Sequence, residues 1–205
     1  MTTALLVAAG YLAGSIPFGL LLVRLGRGVD IRRYGSGNIG ASNVWRSFGR
    51  RLGLPVALLD IAKGFVPALL GVLVVDDLTA VLAGGAAMLG HWRPLFIGFK
   101  RGGKMVATGG GVFLAVAPLV GLIGAAVWIA SFLVSRFTSV GSLAAAAALP
   151  PAAALLGEPW PVIVFATLAS LAVVVLHRGN IRRLREGSEH RFDFRRRRRK
   201  RAAAV

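Results

Sequence analysis

VATGGGVFLAVAPLVGLIGAAVWIASFLV, residues 106–134, is an apolar block without a charged side chain, and Pro118 stands near its centre. A helix of about 20 apolar residues crosses the ~30 Å hydrocarbon layer of a membrane. The block is longer than one crossing needs, and a proline interrupts helical hydrogen bonding. It therefore forms either one long helix or two short helices that meet near Pro118, and this choice decides the topology of the chain.

The distribution of basic residues decides between the two topologies. The basic groups are the loops 24–51 and 91–104, Arg136 and the tail from Arg178, whereas the connections at residues 76–77 and 157–158 lack cations. Basic residues in short loops favour the cytoplasmic side of a membrane. With one crossing, Arg136 and the tail would lie outside, and with two crossings every basic group lies inside. We therefore predict two crossings that turn near Pro118.

The remaining apolar blocks complete the predicted fold. They cover residues 4–23, 52–75, 78–89, 138–150 and 161–176, and the fourth ends near Pro150 and Pro151. We predict an all-α integral membrane protein, a bundle of seven transmembrane helices, some of them short or broken. Its N-terminus lies outside, its C-terminus is cytoplasmic, and its polar motif loops share the cytoplasmic face. Residues 1–190 form this domain, and residues 191–205 form a basic, disordered cytoplasmic tail.

Composition supports a membrane protein and excludes several chemistries. The chain has 205 residues, 56% of them hydrophobic, a net charge of +17 and no cysteine. Its charged and apolar residues are segregated into blocks, whereas a soluble basic protein would intersperse them. The absence of cysteine excludes disulfides, thiol nucleophiles and thiolate metal sites. Because the chain has only three histidines and few carboxylates, we expect no metal and no cofactor.

The first polar motif reads YGSGNIGASNVWR, residues 34–46. Its glycine, serine and asparagine residues offer little apolar surface to a core, but they supply backbone N–H, hydroxyl and amide donors beside Arg46. Such donors are typical of an anion-binding loop. The alternative is a flexible loop that is merely polar, since glycine-rich loops are common.

The second polar motif reads HWRPLFIGFKRGGKM, residues 91–105. Gly98, Gly103 and Lys104 fit the first part of the GxxxxGK[ST] phosphate-binding pattern, but Met105 stands where a serine or threonine should bind magnesium. We therefore reject a nucleoside triphosphatase. A weaker interpretation remains, in which the glycine N–H groups and Lys104 bind a phosphate.

The third polar motif reads HRGNIRRLREGSE, residues 177–189. A single histidine at a helix end is usually interfacial, but Asn180 one turn later and the neighbouring cations favour a functional site around His177. The arginine run 195–201 has no interleaved aromatic residues. We expect this run to attract anionic lipid headgroups and not nucleic acid.

Asp60 and Lys63 are charged residues inside the apolar block 52–75. Three residues apart, they share one face of a helix. A charged pair in an apolar span is costly unless its members pair with each other or face a polar interior. Both a structural ion pair and an orienter of site residues fit this position.

The candidate site residues supplied by the polar segments are Ser36, Arg46, Lys104, Ser142, His177 and Asn180. They include no activated thiol and no carboxylate pair for acid–base hydrolysis. A cation-rich site suits the binding of two phosphorylated species or the stabilisation of an oxyanion. The HxxxxD pattern of many glycerolipid acyltransferases is absent, because the fifth residue after each histidine is Phe96, Arg182 or Arg195.

In their order along the chain and in their residues, the motifs resemble those of the bacterial acyl-phosphate:glycerol-3-phosphate acyltransferases. That family carries GSIPFG, GSGNPGATNVLR and Asp-x-x-Lys-Gly, to which residues 14–19, residues 35–46 and the set Asp60, Lys63 and Gly64 are similar. It also carries GHxxPxFxxFKGGKGVAT, a serine pair after Arg-aromatic, and HRxNIxRLxxGxE, which residues 90–108, Ser139 with Ser142, and residues 177–189 resemble.

The resemblance implies transfer of a fatty acyl group from acyl phosphate to the 1-hydroxyl of glycerol 3-phosphate, the first step of phospholipid synthesis. The products are lysophosphatidic acid and inorganic phosphate. Acyl phosphate is an activated mixed anhydride, so the enzyme needs no covalent nucleophile. It must align two anions and neutralise their repulsion. Either His177 or a substrate phosphate oxygen accepts the hydroxyl proton, and the sequence leaves this choice open.

The resemblance also implies roles for individual residues. Catalytic roles fall to Ser36, Arg46, Lys104, His177 and Asn180, and substrate-binding roles to Gly35, Gly37, Asn38, Asn43, Gly102, Gly103, Ser139, Ser142 and Glu189. Gly102 and Gly103 would cradle the donor phosphate. We expect a monomer in the bacterial inner membrane, with acyl phosphate, glycerol 3-phosphate and membrane lipids as its partners.

One segment departs from the family pattern. The chain reads FKRGGKM, with Arg101 inserted and Met105 in place of a glycine. Because a methionine adopts positive φ values at a cost that glycine avoids, we predict an altered loop path here. This departure supports one alternative, an inactive structural relative of the acyltransferases. The other alternative is a small membrane transporter or channel for an anion, which glycine-broken helices and buried charges would also suit.

Overall fold

The structure is a computed structural model, and it describes residues 1–193. Within that range the regular structure consists of helices. The α-helices are α1 (Thr2–Gly14), α2 (Phe18–Arg27), α3 (Ala41–Phe48), α4 (Arg50–Val74), α5 (Asp77–Trp92), α6 (Val106–Val116), α7 (Pro118–Ser135), α8 (Thr138–Leu155), α9 (Trp160–Leu176) and α10 (Arg178–Arg185). Single-turn 3-10 helices at Ile31–Arg33 and Leu95–Ile97 lie in the two long loops. The arginine run 195–201 lies outside the described residues.

Several helices are long and apolar enough to cross a membrane. They are Thr2–Arg27, which joins α1 and α2, together with α4, α7 and α8. A fifth span results if α9 and α10, which are bent by 54° relative to each other, are counted together. Helices α5 and α6 are shorter, with 16 and 11 residues. The chain is therefore an all-helical membrane protein, and the number of seven crossings stays a prediction.

The predicted break at Pro118 is confirmed. Helix α6 ends at Val116, Ala117 leaves the helical conformation with φ −149° and ψ 75°, and Pro118 opens α7. A proline at the first helical position is favourable, because its missing N–H has no helical partner there. The two helices pack closely, since a Cβ at Gly121 would lie 2.8 Å from the Leu114 nitrogen.

Two predicted helix boundaries are wrong. Helix α8 does not end near Pro150 and Pro151 but continues to Leu155. Its last turns are held by packing, because Ala153 is fully buried in an apolar cluster against which Leu149 packs, and burial of this kind outweighs local helix propensity. The third apolar helix extends beyond Leu89 to Trp92, so His91 lies in a helix and is buried instead of opening a polar loop.

The ion pair of Asp60 and Lys63 lies between α4 and the kink that separates α1 from α2. Lys63 Nζ lies 2.7 Å from Asp60 Oδ1, and both side chains are 3% exposed or less. Because the chain kinks at Pro17, Leu20 N donates to Pro17 O, and the carbonyl of Ile16 accepts hydrogen bonds from Phe18 N and from Lys63 Nζ, each at 3.1 Å. The structural ion pair is thus the interpretation that the contacts favour.

Candidate active site

The three polar motifs meet at one end of the helix bundle. Asn38 in the first loop donates from Nδ2 to the carbonyl of Gly102 in the second loop, at 3.1 Å. Lys104, two residues after Gly102, donates to Asn180 on α10. Hydrogen bonds of these side chains thus join segments that are far apart in the sequence, as the motifs predicted.

Glu189 is the centre of a hydrogen-bond network. Its Oε1 accepts hydrogen bonds from Asn180 Nδ2 at 2.6 Å and from Ser139 Oγ at 3.1 Å, and its Oε2 accepts one from Arg183 Nε at 2.7 Å. Burial acts to raise the pKa of Glu189, but the hydrogen bonds from Asn180, Arg183 and Ser139 and the charge of Arg183 hold it below its usual value. Both carboxylate oxygens are therefore occupied by the protein, so Glu189 organises its neighbours.

Asn180 is oriented by this network. Its Nδ2 must donate to Glu189, so its Oδ1 faces Lys104 and accepts a hydrogen bond from Nζ. The amide thereby fixes the position of the ammonium group, and no further hydrogen bond to a described residue uses its other two protons, which could bind a ligand.

Lys104 directly follows a tightly packed turn formed by Gly102 and Gly103. Gly102 N donates to Trp92 O and Gly103 N donates to His91 O, each at 2.9 Å. A Cβ on Gly103 would overlap the imidazole of His91, and one on Gly102 would overlap the His91 carbonyl. Glycine is needed here for close approach. The predicted phosphate cradle is not formed by these N–H groups, because both are already bonded to backbone carbonyls.

Met105 shows why the altered motif is compatible with the fold. It takes the left-handed conformation at φ 67° directly before α6. For a residue with a Cβ, this costs on the order of 1–2 kcal/mol. Its side chain is buried in an apolar cluster with Met88 and Val112, which offsets that cost at about 25 cal/mol per Å² of apolar surface. Met105 thus adopts positive φ itself, at the predicted cost, and the altered loop path stays a prediction.

His177 stands at the 54° bend between α9 and α10. Its Nδ1 lies 2.8 Å from the carbonyl oxygen of Val173. A carbonyl only accepts hydrogen bonds, so Nδ1 carries a proton, and the neutral ring leaves Nε2 as an acceptor. The ring also interacts electrostatically with Lys104 and Glu189. The structure therefore brings His177 to the same network as Asn180.

Asn43 shapes the first loop. Its Oδ1 accepts a hydrogen bond from Ser36 N at 3.0 Å, and its Nδ2 donates to the carbonyls of Tyr34 and Asn38 at 3.0 and 2.8 Å. Gly35 and Gly37 have φ values of 56° and 69°, a region that glycine enters without steric cost. Asn43 and these glycines therefore build the loop, and no hydrogen bond from the described residues occupies the Ser36 hydroxyl.

Arg46 lies on α3 and faces the start of α8. Its NH1 donates to Thr138 Oγ1 at 3.4 Å, and its charge interacts with Glu189 and Arg183. Ser142, one turn after Thr138, is buried, and its hydroxyl donates to Thr138 O at 2.8 Å and accepts from Trp128 Nε1 at 3.2 Å. Ser139 thus reaches the network, whereas Ser142 joins α7 to α8.

Arg183 is a site residue that the motifs did not indicate. The signal was present, because Asn180 and Arg183 are three residues apart on α10 and therefore share one helix face. Among residues 1–193, Lys104 interacts with the charges of Arg46, Arg101 and Arg183 and with one carboxylate, Glu189. The cations outnumber the carboxylate, so the cluster can bind anions of more than one charge.

Comparison with known proteins finds relatives that match most of the chain. A family model described as glycerol-3-phosphate acyltransferase matches residues 4–187. A glycerol-3-phosphate acyltransferase of Roseiflexus sp. (strain RS-1) is 49% identical over 193 residues, covering 92% of this chain and 94% of the relative. One of Geobacter sulfurreducens is 50% identical over 190 residues, covering 92% and 96%.

Solved structures with the same fold also exist. A crystal structure of PlsY, an integral membrane glycerol 3-phosphate acyltransferase, in its glycerol 3-phosphate form matches with a TM-score of 0.90 and 42% identity, covering 94% of this chain and 96% of that one. Its lysophosphatidic acid form matches with a TM-score of 0.88 and 41% identity over the same shares. With its network around Glu189 and Lys104 joining all three motifs, the chain belongs to the glycerol-3-phosphate acyltransferase family.

Proposed function

We propose that the protein transfers a fatty acyl group from acyl phosphate to the 1-hydroxyl of glycerol 3-phosphate, and that it releases lysophosphatidic acid and inorganic phosphate. The observation that carries this proposal is the meeting of the motifs at Lys104, which donates to Asn180 beside Glu189 and interacts with the charges of Arg46, Arg101 and Arg183. Both substrates are phosphorylated, and fixed cations lower the repulsion between them. The relatives act on glycerol 3-phosphate by name.

The chemistry needs an acceptor for the hydroxyl proton. In the proposed step, the 1-hydroxyl oxygen attacks the acyl carbonyl carbon, and the bond between that carbon and the phosphate oxygen breaks. The proton passes to Nε2 of His177, the ring nitrogen left as an acceptor by the Nδ1 contact with Val173, and then to the departing phosphate. Lys104 neutralises that phosphate, and the hydroxyl of Ser36 with Arg46 holds the second anion.

The remaining parts of the proposal concern location and partners. We propose a monomer in the bacterial inner membrane, with its N-terminus outside and its C-terminus in the cytoplasm. Glycines 102 and 103 contribute by positioning Lys104, and Asn38 ties the first loop to theirs. The arginine run 195–201, which lies beyond the described residues, is proposed to contact anionic headgroups.

Purified protein in detergent tests the function. Incubation with acyl phosphate and glycerol 3-phosphate should release inorganic phosphate and form lysophosphatidic acid, whereas acyl-CoA and acyl carrier protein donors should give neither. A transporter or channel would show no turnover without a sealed compartment, and an inactive relative would show none in any format. Turnover with acyl-CoA alone would refute the proposed donor.

Lys104 gives the activity a dependence on pH. Burial, with the charges of Arg183, Arg101 and Arg46 opposed by Glu189, lowers the pKa of Lys104 to about 8. As the pH rises through this value, Lys104 loses its charge, so kcat/KM should fall by up to about tenfold per pH unit. In Lys104→Arg the side chain stays charged, and the decline near pH 8 should disappear from the pH–rate profile even if the rate is lower. A decline that persists unchanged would assign it to another group.

Reporter fusions test the orientation. A reporter fused after Val205 should be cytoplasmic, and one inserted between Asp76 and Asp77 should be external, because basic loops stay inside. If both reporters lay on the same side, the number of crossings between residue 77 and the C-terminus would be even, whereas we predict an odd number.

A further inference from the structure

The chain reverses direction after α10. Gly187 has φ 69°, its N donates to Leu184 O at 3.3 Å, and Ser188 N donates to Arg183 O at 2.8 Å. This turn directs residues 187–193, here named the C-terminal strap, back toward the helix bundle. Glu189 lies on this strap, so the hydrogen bonds of the carboxylate depend on where the strap lies.

Phe192 fixes the far end of the strap. Its N–H donates to the carbonyl of Arg136 at 2.8 Å. Its ring lies edge-to-face against Trp45 and Phe132, with centroids 5.9 and 5.3 Å away, and the residue is 9% exposed. The boundary predicted at residue 190 therefore falls inside a segment that packs on the fold.

The surface beneath Phe192 adjoins the site. Trp45 directly precedes Arg46 on α3, and Phe132 stacks on Trp128, which donates to Ser142. Arg136 takes a left-handed conformation at φ 64°, which is unfavourable for a residue other than glycine. In this conformation its carbonyl receives the Phe192 N–H.

We propose that Phe192 is a positioning residue for acyl transfer. It anchors the C-terminal strap on Trp45 and Phe132 and so holds Glu189 against Ser139, Asn180 and Arg183. Without the anchor, the carboxylate is free to leave the amide of Asn180, and the amide no longer fixes the Lys104 ammonium. The inference rests on the proposed function, because its readout is acyl transfer.

Phe192→Ala in the full chain tests the proposal. We expect kcat/KM for acyl transfer to fall by about 10- to 100-fold, by analogy with the loss seen when groups that orient metal ligands are removed. Phe192→Tyr keeps the ring and should restore activity to within about threefold of wild type, since edge-to-face packing is retained. His190→Ala is the matched control, because His190 is an exposed residue of the same strap, and it should leave kcat/KM unchanged.

A double-mutant cycle separates positioning from general stability. If Phe192 acts through Glu189, Phe192→Ala should cost less than about threefold when it is added to Glu189→Gln, because coupled residues are not additive. Thermal unfolding in detergent should stay near that of wild type, because the strap lies outside the helices of the bundle. Phe192→Leu, which keeps most of the apolar volume, serves as the second variant if Phe192→Ala does not fold.

The possible outcomes are distinct. Wild-type protein without any acyl transfer would refute the proposed function itself. Active wild type together with Phe192→Ala or Phe192→Leu at full activity would overturn the inference alone. Full, additive losses in the cycle with Glu189→Gln would overturn it as well, because they would show that Phe192 does not act through that carboxylate.

Discussion

Lys104→Ala should lower kcat/KM for acyl transfer by roughly 30- to 4,000-fold. The ammonium is fixed by Asn180 and stands among Arg46, Arg101 and Arg183, opposite the Glu189 carboxylate. Removing one partner of a desolvated charge pair costs about 2–5 kcal/mol, and about 1.4 kcal/mol corresponds to a factor of ten. Steady-state rates measured with both substrates varied would give the loss. Most of it should appear in kcat/KM for acyl phosphate, since Lys104 is proposed to neutralise the phosphate that departs from this substrate.

Lys100→Ala is the matched control for this prediction. Lys100 lies in the same loop but is exposed, and a solvated loop cation contributes little. Lys100→Ala should therefore lower kcat/KM far less than Lys104→Ala does. Thermal unfolding must stay near the wild-type value in both variants. If folded Lys104→Ala kept full activity while Lys100→Ala or Arg101→Ala lost it, the site would be built from a different cation.

The fold could be predicted from the sequence where hydrophobicity and charge act alone. The apolar block 106–134 required a turn at Pro118, because only two crossings place every basic loop on one side, and the helix does break there. The end of α8 could not be predicted in this way. Its two prolines normally interrupt a helix, but packing of the turn beyond them, including the fully buried Ala153, decides the result, and such tertiary contacts are invisible in a single sequence.

In the site too, the sequence predicts which residues lie close together, whereas tertiary contacts decide their bonding. The motifs identified His177, Asn180, Lys104 and Glu189 as neighbours, and the structure brings them into one network. They did not reveal what each group is bonded to. The N–H groups of Gly102 and Gly103 donate to backbone carbonyls. Burial of the Met105 side chain offsets a backbone conformation that propensity disfavours, and only the folded protein shows that burial.

The ion pair of Asp60 and Lys63 gives the largest expected effect on stability. Asp60→Ala would leave the Lys63 ammonium buried without its carboxylate, in a span where both side chains are nearly inaccessible. Breaking a buried ion pair on one side costs about 3–5 kcal/mol. We therefore expect a large decrease in the free energy of unfolding, measured by chemical denaturation in detergent, and poor recovery of folded protein.

The double variant Asp60→Ala/Lys63→Met distinguishes an uncompensated charge from lost packing. It removes both charges, and replacing a whole buried ion pair with apolar groups is often close to neutral. One deficit remains, because the Ile16 carbonyl at the Pro17 kink loses its hydrogen bond from Lys63 and keeps the one from Phe18 N, at a cost of about 0.5–1.5 kcal/mol. The double variant should therefore be more stable than Asp60→Ala alone. Equal destabilisation of the two variants would mean that Asp60 stabilises the fold through its packing, since the Lys63 charge would then make no difference.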